Sequence, residues 1–297
     1  MKVAPECIPC IFNVRAKEIL NSNLSDTEKI EAFKVFLEYY ATKVSPETTT
    51  TLLSWQAFRK VKEILREQDP YASFKKASHE AALKIASFLE REVEGKLGFA
   101  RFHFIVKASL AANYIDPGTP IGVGPEHLSE KINSLKLGVD ETEKLYMKLL
   151  QSGKVAFVLD NCGEAVIDRI LAEELNRMGI EVRLIVKGDP YQNDITYKEA
   201  IEYEFNKVGE VVSTGSDFPG VVPGYVSQEA VDTLNWADIV IAKGMANYEA
   251  FRMKLPEKPV FIMLVAKCDV IARSVGVSKG EAAAFFLQGS PSLSKLL

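Results

Sequence analysis

Apolar and polar positions follow two different patterns along the chain. From residue 12 to about residue 151, apolar residues recur at helical spacing in one stretch after another. Ser25-Asp-Thr-Glu28 is a capping box that opens one of these helices. No alternation typical of a strand is visible in this half. The pattern predicts a helical bundle or cap over residues 1–152.

After Lys154 the pattern changes to short apolar runs that alternate with helical stretches. The predicted strands are Val155–Leu159, Val182–Val186, Glu210–Ser213, Ile239–Ala242 and Val260–Val265. Parallel strands require crossover connections, which are usually helices. Residues 153–297 are therefore predicted to form a Rossmann-like α/β domain, with a mainly parallel sheet in a three-layer α/β/α arrangement.

Composition narrows the class of protein. The chain has 297 residues, of which 47% are hydrophobic, and a net charge of −4, so it can bury a large core and has no general attraction for nucleic acid. The apolar runs are too short to span a membrane, and the first residues lack the apolar core of a signal peptide. We expect a cytoplasmic protein with neither nucleic acid nor membrane as partner; the sequence does not indicate its oligomeric state. Four cysteines are too few for a disulfide framework.

Polar residues follow each predicted strand. Asp160 and Asn161 end the first strand and Asp194 follows the second, so a parallel sheet would bring them to one edge. Two carboxylates and an amide oxygen suit Mg²⁺ or Mn²⁺. Asn161 with Glu164 could instead be a capping-box variant that needs no ligand, but this leaves Asp160 unexplained.

Lysines also follow the strands. Lys187, Lys243 and Lys267 would share the same edge, and three of them suggest an anion pocket, although a single one is more often a solvated charge. Gly188 and Gly244 would let backbone N–H groups approach the anion. We expect Lys243 and Lys267 to be the precisely held donors, and Lys187, which begins a longer loop, to be held less precisely.

Two further features have alternative interpretations. Cys7-Ile-Pro-Cys10 has the spacing of a metal-binding or redox pair, but two small apolar residues at a helix start are equally consistent with it. Asn113 follows an apolar helix and could be its C-cap, which does not account for Asp116.

Several chemistries are disfavoured. No Gly-x-Gly-x-x-Gly follows the first strand, no P-loop is present, and residues 128–297 contain no histidine for a hydrolase triad. An aspartyl-phosphate enzyme with Asp160 as nucleophile stays open. Metal-assisted hydrolysis of a phosphoester is the most economical interpretation.

The chain resembles the family once called domain of unknown function 89, whose members are described as metal-dependent damage-control phosphatases. The motifs that carry the resemblance are Leu159-Asp160-Asn161-Cys-Gly-Glu164, Asn193-Asp194-Ile-Thr196, Lys243-Gly244-Met-Ala-Asn247 and Ala266-Lys267-Cys268, together with Cys7-x-x-Cys10, Asp69-Pro70-Tyr71 and Asn113-x-x-Asp116 of its compact microbial branch.

This resemblance implies a helical region over an α/β/α domain and a hydrolase for phosphorylated small molecules. It implies a divalent cation (Mg²⁺, Mn²⁺, Ni²⁺ or Co²⁺) held by Asp160, Asn161 and Asp194. It also implies substrate contacts from Lys243, Gly244, Asn247 and Lys267, and from Asn113 and Asp116 on the helical side. The Arg-Thr-x-Lys of the eukaryotic branch is replaced by Leu264-Val265-Ala266-Lys267, so only its lysine is retained, and the predicted substrates are sugar phosphates, damaged nucleotides or cofactor-related phosphates.

Two alternatives from other classes remain. One is a methyltransferase that binds S-adenosylmethionine, which the missing glycine-rich turn argues against. The other is a non-catalytic metal or metabolite sensor that uses Cys7 and Cys10.

Overall fold

The structure is a computed structural model that describes residues 1–112, 132 and 134–287. The helices of the first half are α1 (Cys7–Leu20), α2 (Asp26–Lys43), α3 (Thr50–Leu65), α4 (Ala72–Val93) and α5 (Gly98–Ala111). They are followed by β1 (Leu137–Asp140), α6 (Thr142–Leu149), β2 (Lys154–Val158), α7 (Cys162–Arg177), β3 (Glu181–Val186), α8 (Tyr197–Glu202) and β4 (Glu210–Ser213). The last elements are α9 (Gln228–Trp236), β5 (Ile239–Lys243), α10 (Gly244–Met253), β6 (Val260–Val265), α11 (Asp269–Val275) and β7 (Ala282–Phe286).

The strands form one sheet in the order β1-β7-β6-β5-β2-β3-β4. All neighbouring pairs are parallel except β6 and β7, which are antiparallel. The mainly parallel α/β sheet and the five predicted strands are thereby confirmed.

Two strands were not predicted. β1 lies in the half that was expected to carry no strand, and that expectation is wrong at Leu137–Asp140. The strand has only four residues, of which none is fully buried, so it leaves little hydrophobic signal. β7 begins with three alanines, a residue type with low strand propensity.

Alternate residues of the strands enter two different cores. Val155 and Phe157 of β2 pack with α4, α5 and α7 on one face of the sheet, whereas Ala156 and Val158 pack with α9, α10 and α11 on the other. A central strand that is buried on both faces has a continuous run of apolar residues, and this run allowed these strands to be predicted from the sequence.

Helices α1, α2 and α3 form a third cluster around Ile19, Phe36 and Leu53. The cluster is joined to the sheet's carboxyl edge through Asp217, which follows β4. Its carboxylate accepts a hydrogen bond from Trp55 Nε1 at 2.7 Å and pairs with Lys62 Nζ at 3.0 Å. The division into two domains near residue 152 stays a prediction. Among the described helices, none combines the length and apolar composition that crossing a lipid bilayer requires.

Candidate active site

A cavity of about 670 Å³ lies at the carboxyl edge of the sheet. One wall is formed by α1 and α3. The other is formed by the segments that follow β2, β3 and β6 and by the first turns of α10. The predicted edge residues Asp160, Asn161, Asp194 and Lys267 all line this cavity.

Backbone hydrogen bonds hold the segments after β2 and β3 together. The N–H of Ile195 donates to the carbonyl of Asp160 at 2.9 Å, and the N–H of Cys162 donates to the carbonyl of Asn193 at 2.9 Å. Asn161 and Asp194 form an antiparallel bridge between these two bonds. The structure therefore brings Asp160, Asn161 and Asp194 together, as their positions after two neighbouring strands predict.

Asn161 occupies the N-cap position of α7, but its side chain does not cap the helix backbone. Its Nδ2 donates to Glu164 Oε1. The capping-box alternative is therefore wrong, since that arrangement requires the N-cap side chain to accept a backbone N–H. The amide oxygen of Asn161 accepts no hydrogen bond from any residue that the structure describes.

Lys187 is buried, and its Nζ lies 3.0 Å from Asp194 Oδ2. The backbone of Lys187 is also bonded on both sides, to Ile195 and Tyr197. The expectation that this lysine is loosely held is wrong. The loop folds back onto its own strand, so Lys187 is fixed beside Asp194.

The surroundings of the two carboxylates fit a cation. Burial raises the pKa of Asp160 well above its usual value, and the nearby Asp194 and Glu164 carboxylates raise it further. Asp194 Oδ2 is buried and has no hydrogen bond of acceptable geometry, despite its ion contact with Lys187. Within the described ranges, no three His, Cys, Asp or Glu side chains are grouped to hold a metal, so a cation here would also need amide, backbone or water oxygens.

Gly244 lies directly against Asp160. Its φ is +82°, and a Cβ at this position would lie 1.9 Å from Asp160 Oδ2. Only glycine allows both this left-handed backbone and this approach, so Gly244 forms a cradle for the carboxylate.

Lys243 differs from its expected placement. Its Nζ donates to the carbonyl and the hydroxyl of Ser109, both at 2.8 Å, and to Asp168 Oδ1 at 2.9 Å. Burial alone lowers the pKa of Lys243, but Asp168 and Glu164 outweigh it and raise the pKa above its usual value. The ammonium is thus charged and its three protons are donated within the protein, so the expected direct contact with a phosphate is not compatible with this arrangement.

Gly188 and Asn247 also differ from expectation. The N–H of Gly188 donates to Ser216 O and Thr214 Oγ1, each at 3.0 Å, so it is not directed at an anion. Glycine is needed there because a Cβ would lie 2.5 Å from Gly215 Cα. Asn247 is fully buried, and its Nδ2 donates to the carbonyls of Leu159 at 3.2 Å and Lys243 at 2.8 Å. It ties α10 to the end of β2 and lies behind the cavity wall.

Lys267 is exposed and lines the cavity, and its charge lowers the pKa of Asp160, after the larger effect of Lys187. Of the three edge lysines, it is the one that faces this space.

Cys7 and Cys10 line the opposite wall, and burial raises the pKa of both thiols. Activated redox cysteines have lowered pKa values, but a metal or redox role for this pair stays a prediction. Asn113 and Asp116 lie outside the described residues, so their predicted substrate contacts also stay predictions.

The sequence did not single out the residues of the helical wall. Arg15, Thr50, Thr51 and Ser54 line the cavity from α1 and α3, and Glu249 lines it from α10. Arg15 is fully buried and contacts Glu18 at 2.9 Å. For Arg15, the only signal available in the sequence was a charged residue at a position where the helix buries its side chain.

The fold and this cavity define the protein as an α/β protein with a helical cap, whose carboxylates and lysine meet at the carboxyl ends of parallel strands. Residues 3–283 match the family described as the damage-control phosphatase ARMT1-like domain, and the chain belongs to this family.

Two named relatives and one solved structure are similar to this chain over nearly their whole length. The damage-control phosphatase of Pyrococcus horikoshii is 30% identical over 94% of this chain and 96% of its own. The damage-control phosphatase of Archaeoglobus fulgidus is 30% identical over 95% of this chain and 98% of its own. The crystal structure of a DUF89 family protein from Pyrococcus horikoshii matches with a TM-score of 0.88 and 28% identity, covering 97% of this chain and 100% of that one.

Proposed function

We propose that this protein is a divalent-cation-dependent phosphatase that hydrolyses phosphomonoesters of small metabolites. The observation that carries the proposal is the meeting of Asp160, Asn161 and Asp194 in one cavity with Lys267. Membership of a phosphatase family supports the reaction class. Sugar phosphates, damaged nucleotides and cofactor-related phosphates are the substrate classes to test.

Asp160, Asn161 and Asp194 would hold the cation through oxygen atoms. Mg²⁺, Mn²⁺, Ni²⁺ and Co²⁺ are the candidates. The Gly244 cradle supports a bound cation, since burial and the neighbouring Asp194 and Glu164 carboxylates disfavour an ionised Asp160 without one. When bound, such a cation polarises the phosphoryl oxygen and lowers the pKa of a coordinated water.

The chain's own residues would position and neutralise the phosphoester. Lys267 would donate to the phosphoryl oxygens as negative charge develops on them. Lys187 would orient Asp194 through their 3.0 Å contact. The walls of α1 and α3 would exclude bulk water from the cavity, which strengthens these charge interactions.

The test measures phosphate release from a panel of phosphorylated metabolites after removal of metals with a chelator, and again after each divalent cation is restored. We expect release only with a cation. Asp160→Asn and Asp194→Asn should abolish both release and cation binding in calorimetric titration. Asp189→Asn is the matched control, because it removes the same charge from an exposed position and should leave both unchanged. Cation-independent release, or full cation binding by both site variants, would refute the proposal.

A further inference from the structure

Helix α10 turns one face to the cavity. Met245, Ala246 and Glu249 line the cavity from this helix, at the spacing that places residues on one side. The residues between and beyond them are buried in the protein: Asn247, Tyr248, Ala250 and Phe251. Glu249 therefore presents a carboxyl group to the same cavity as Asp160.

The carboxyl group of Glu249 has no ion-pair partner within the described part of the chain. No Lys or Arg nitrogen and no amino terminus lies within 4.0 Å of it there. Burial raises the pKa of Glu249 to about 7, opposed by the Thr50 side chain and then by the Met1 amino group. A carboxyl group with this pKa is protonated in a large fraction of molecules at neutral pH, which suits an acid catalyst.

Other titratable groups also face Glu249. Cys7 and Cys10 approach from α1 and Tyr191 from the loop after β3, and burial raises the pKa of all three. They are uncharged near neutral pH. Burial lowers the pKa of the Met1 amino group, and the nearby Glu249 opposes this shift. A variant of Glu249 is needed to separate the two groups.

Asp160 and Glu249 lie near different points of the cavity wall that α10 forms. Gly244 touches the Asp160 carboxylate, and five residues of helix advance about 7.5 Å from there to Glu249. A phosphoester held by a cation at Asp160 and Asp194 would therefore lie in the same cavity as the Glu249 carboxyl group.

We propose, on the basis of the proposed phosphatase function, that Glu249 is the catalytic acid that protonates the leaving-group oxygen. A water oxygen forms a bond to phosphorus while the bond from phosphorus to the ester oxygen breaks. The carboxyl proton of Glu249 passes to the departing oxygen and yields the alcohol. One proton of the attacking water stays on phosphate as the new P–OH group, the other passes to solvent, and solvent reprotonates Glu249.

The test uses a series of substituted phenyl phosphates with the cation-loaded protein, from p-nitrophenyl phosphate to unsubstituted phenyl phosphate. p-Nitrophenolate leaves readily without a proton, whereas phenolate requires one. Glu249→Gln should lose about a hundredfold or more in turnover of phenyl phosphate, the range expected for a lost acid catalyst, and less than about threefold with p-nitrophenyl phosphate. Glu257→Gln is the control, since Glu257 is exposed and lies outside the cavity lining, and it should leave the series unchanged.

The wild-type protein supplies a second measurement that does not depend on folding of the variant. Its turnover of phenyl phosphate should fall as pH rises through about 7, while turnover of p-nitrophenyl phosphate should not. Equal losses across the series in Glu249→Gln, or the same pH profile for both esters, would overturn the role of Glu249. Absence of all phosphate release from the wild type would instead refute the proposed function.

Discussion

Replacing Gly244 by alanine tests whether close packing against Asp160 builds the cation site. The new Cβ would stand 1.9 Å from Asp160 Oδ2, far inside van der Waals contact, at a φ of +82°. The backbone strain costs about 1–2 kcal/mol, and forcing atoms into a packed region costs about 1–3 kcal/mol more. Gly276 has the same φ of +82° and nothing within 4 Å of its Cβ position, so Gly276→Ala measures the strain alone.

Urea denaturation of both variants gives the two costs, and calorimetric titration gives cation affinity. We expect Gly244→Ala to lose about 1–3 kcal/mol more stability than Gly276→Ala. Displacement of Asp160 should also lower cation affinity by about tenfold to a hundredfold, whereas Gly276→Ala should bind normally. Equal stability loss in the two variants, together with unchanged cation affinity in Gly244→Ala, would show that the cradle does not shape the site.

The remaining predictions concern buried charges. Lys243→Met should destabilise the fold by about 3–5 kcal/mol in urea denaturation, because it leaves the buried Asp168 carboxylate without its ion-pair partner. Lys267→Met should instead lower phosphate release by about a hundredfold to a thousandfold with stability changed by less than about 0.5 kcal/mol; the reverse pattern would contradict both assignments. The His79 imidazole stacks on Tyr203, and burial lowers the pKa of His79. The neutral imidazole therefore contributes to the free energy of unfolding, and this contribution is lost as pH falls below about 6.5. The stability difference between wild type and His79→Phe should therefore shrink from pH 7 to pH 5, and a constant difference would refute this.

The central strands and the edge residues could be predicted because their signals are local. β2 is apolar on both faces and ends abruptly at Asp160, so strand position and edge position can both be read from adjacent residues. The meeting of Asp160 with Asp194 then follows from the parallel sheet.

The direction of each lysine side chain could not be predicted in the same way. Lys243 and Lys267 both follow a strand, yet one turns to Ser109 and Asp168 and the other to the cavity. Ser109 lies in α5, far from Lys243 in sequence. The residues adjacent to Lys243 therefore do not show which partner its side chain contacts. Glu249 was missed for a related reason, since its position in the cavity depends on how α10 packs against α3.

The cavity is assembled from segments that lie far apart in the sequence. Glu6 pairs with Arg273 across 267 residues, and Trp55 bonds Asp217 across 162. When only α1, α2 and α3 have emerged from the ribosome, the nascent chain has one wall of the cavity and none of the proposed cation and phosphate ligands. Contacts between such distant residues form slowly, since closing a long loop costs conformational entropy before the contact can stabilise the fold. During synthesis, the cavity is therefore completed only after the segment through α11 has been made.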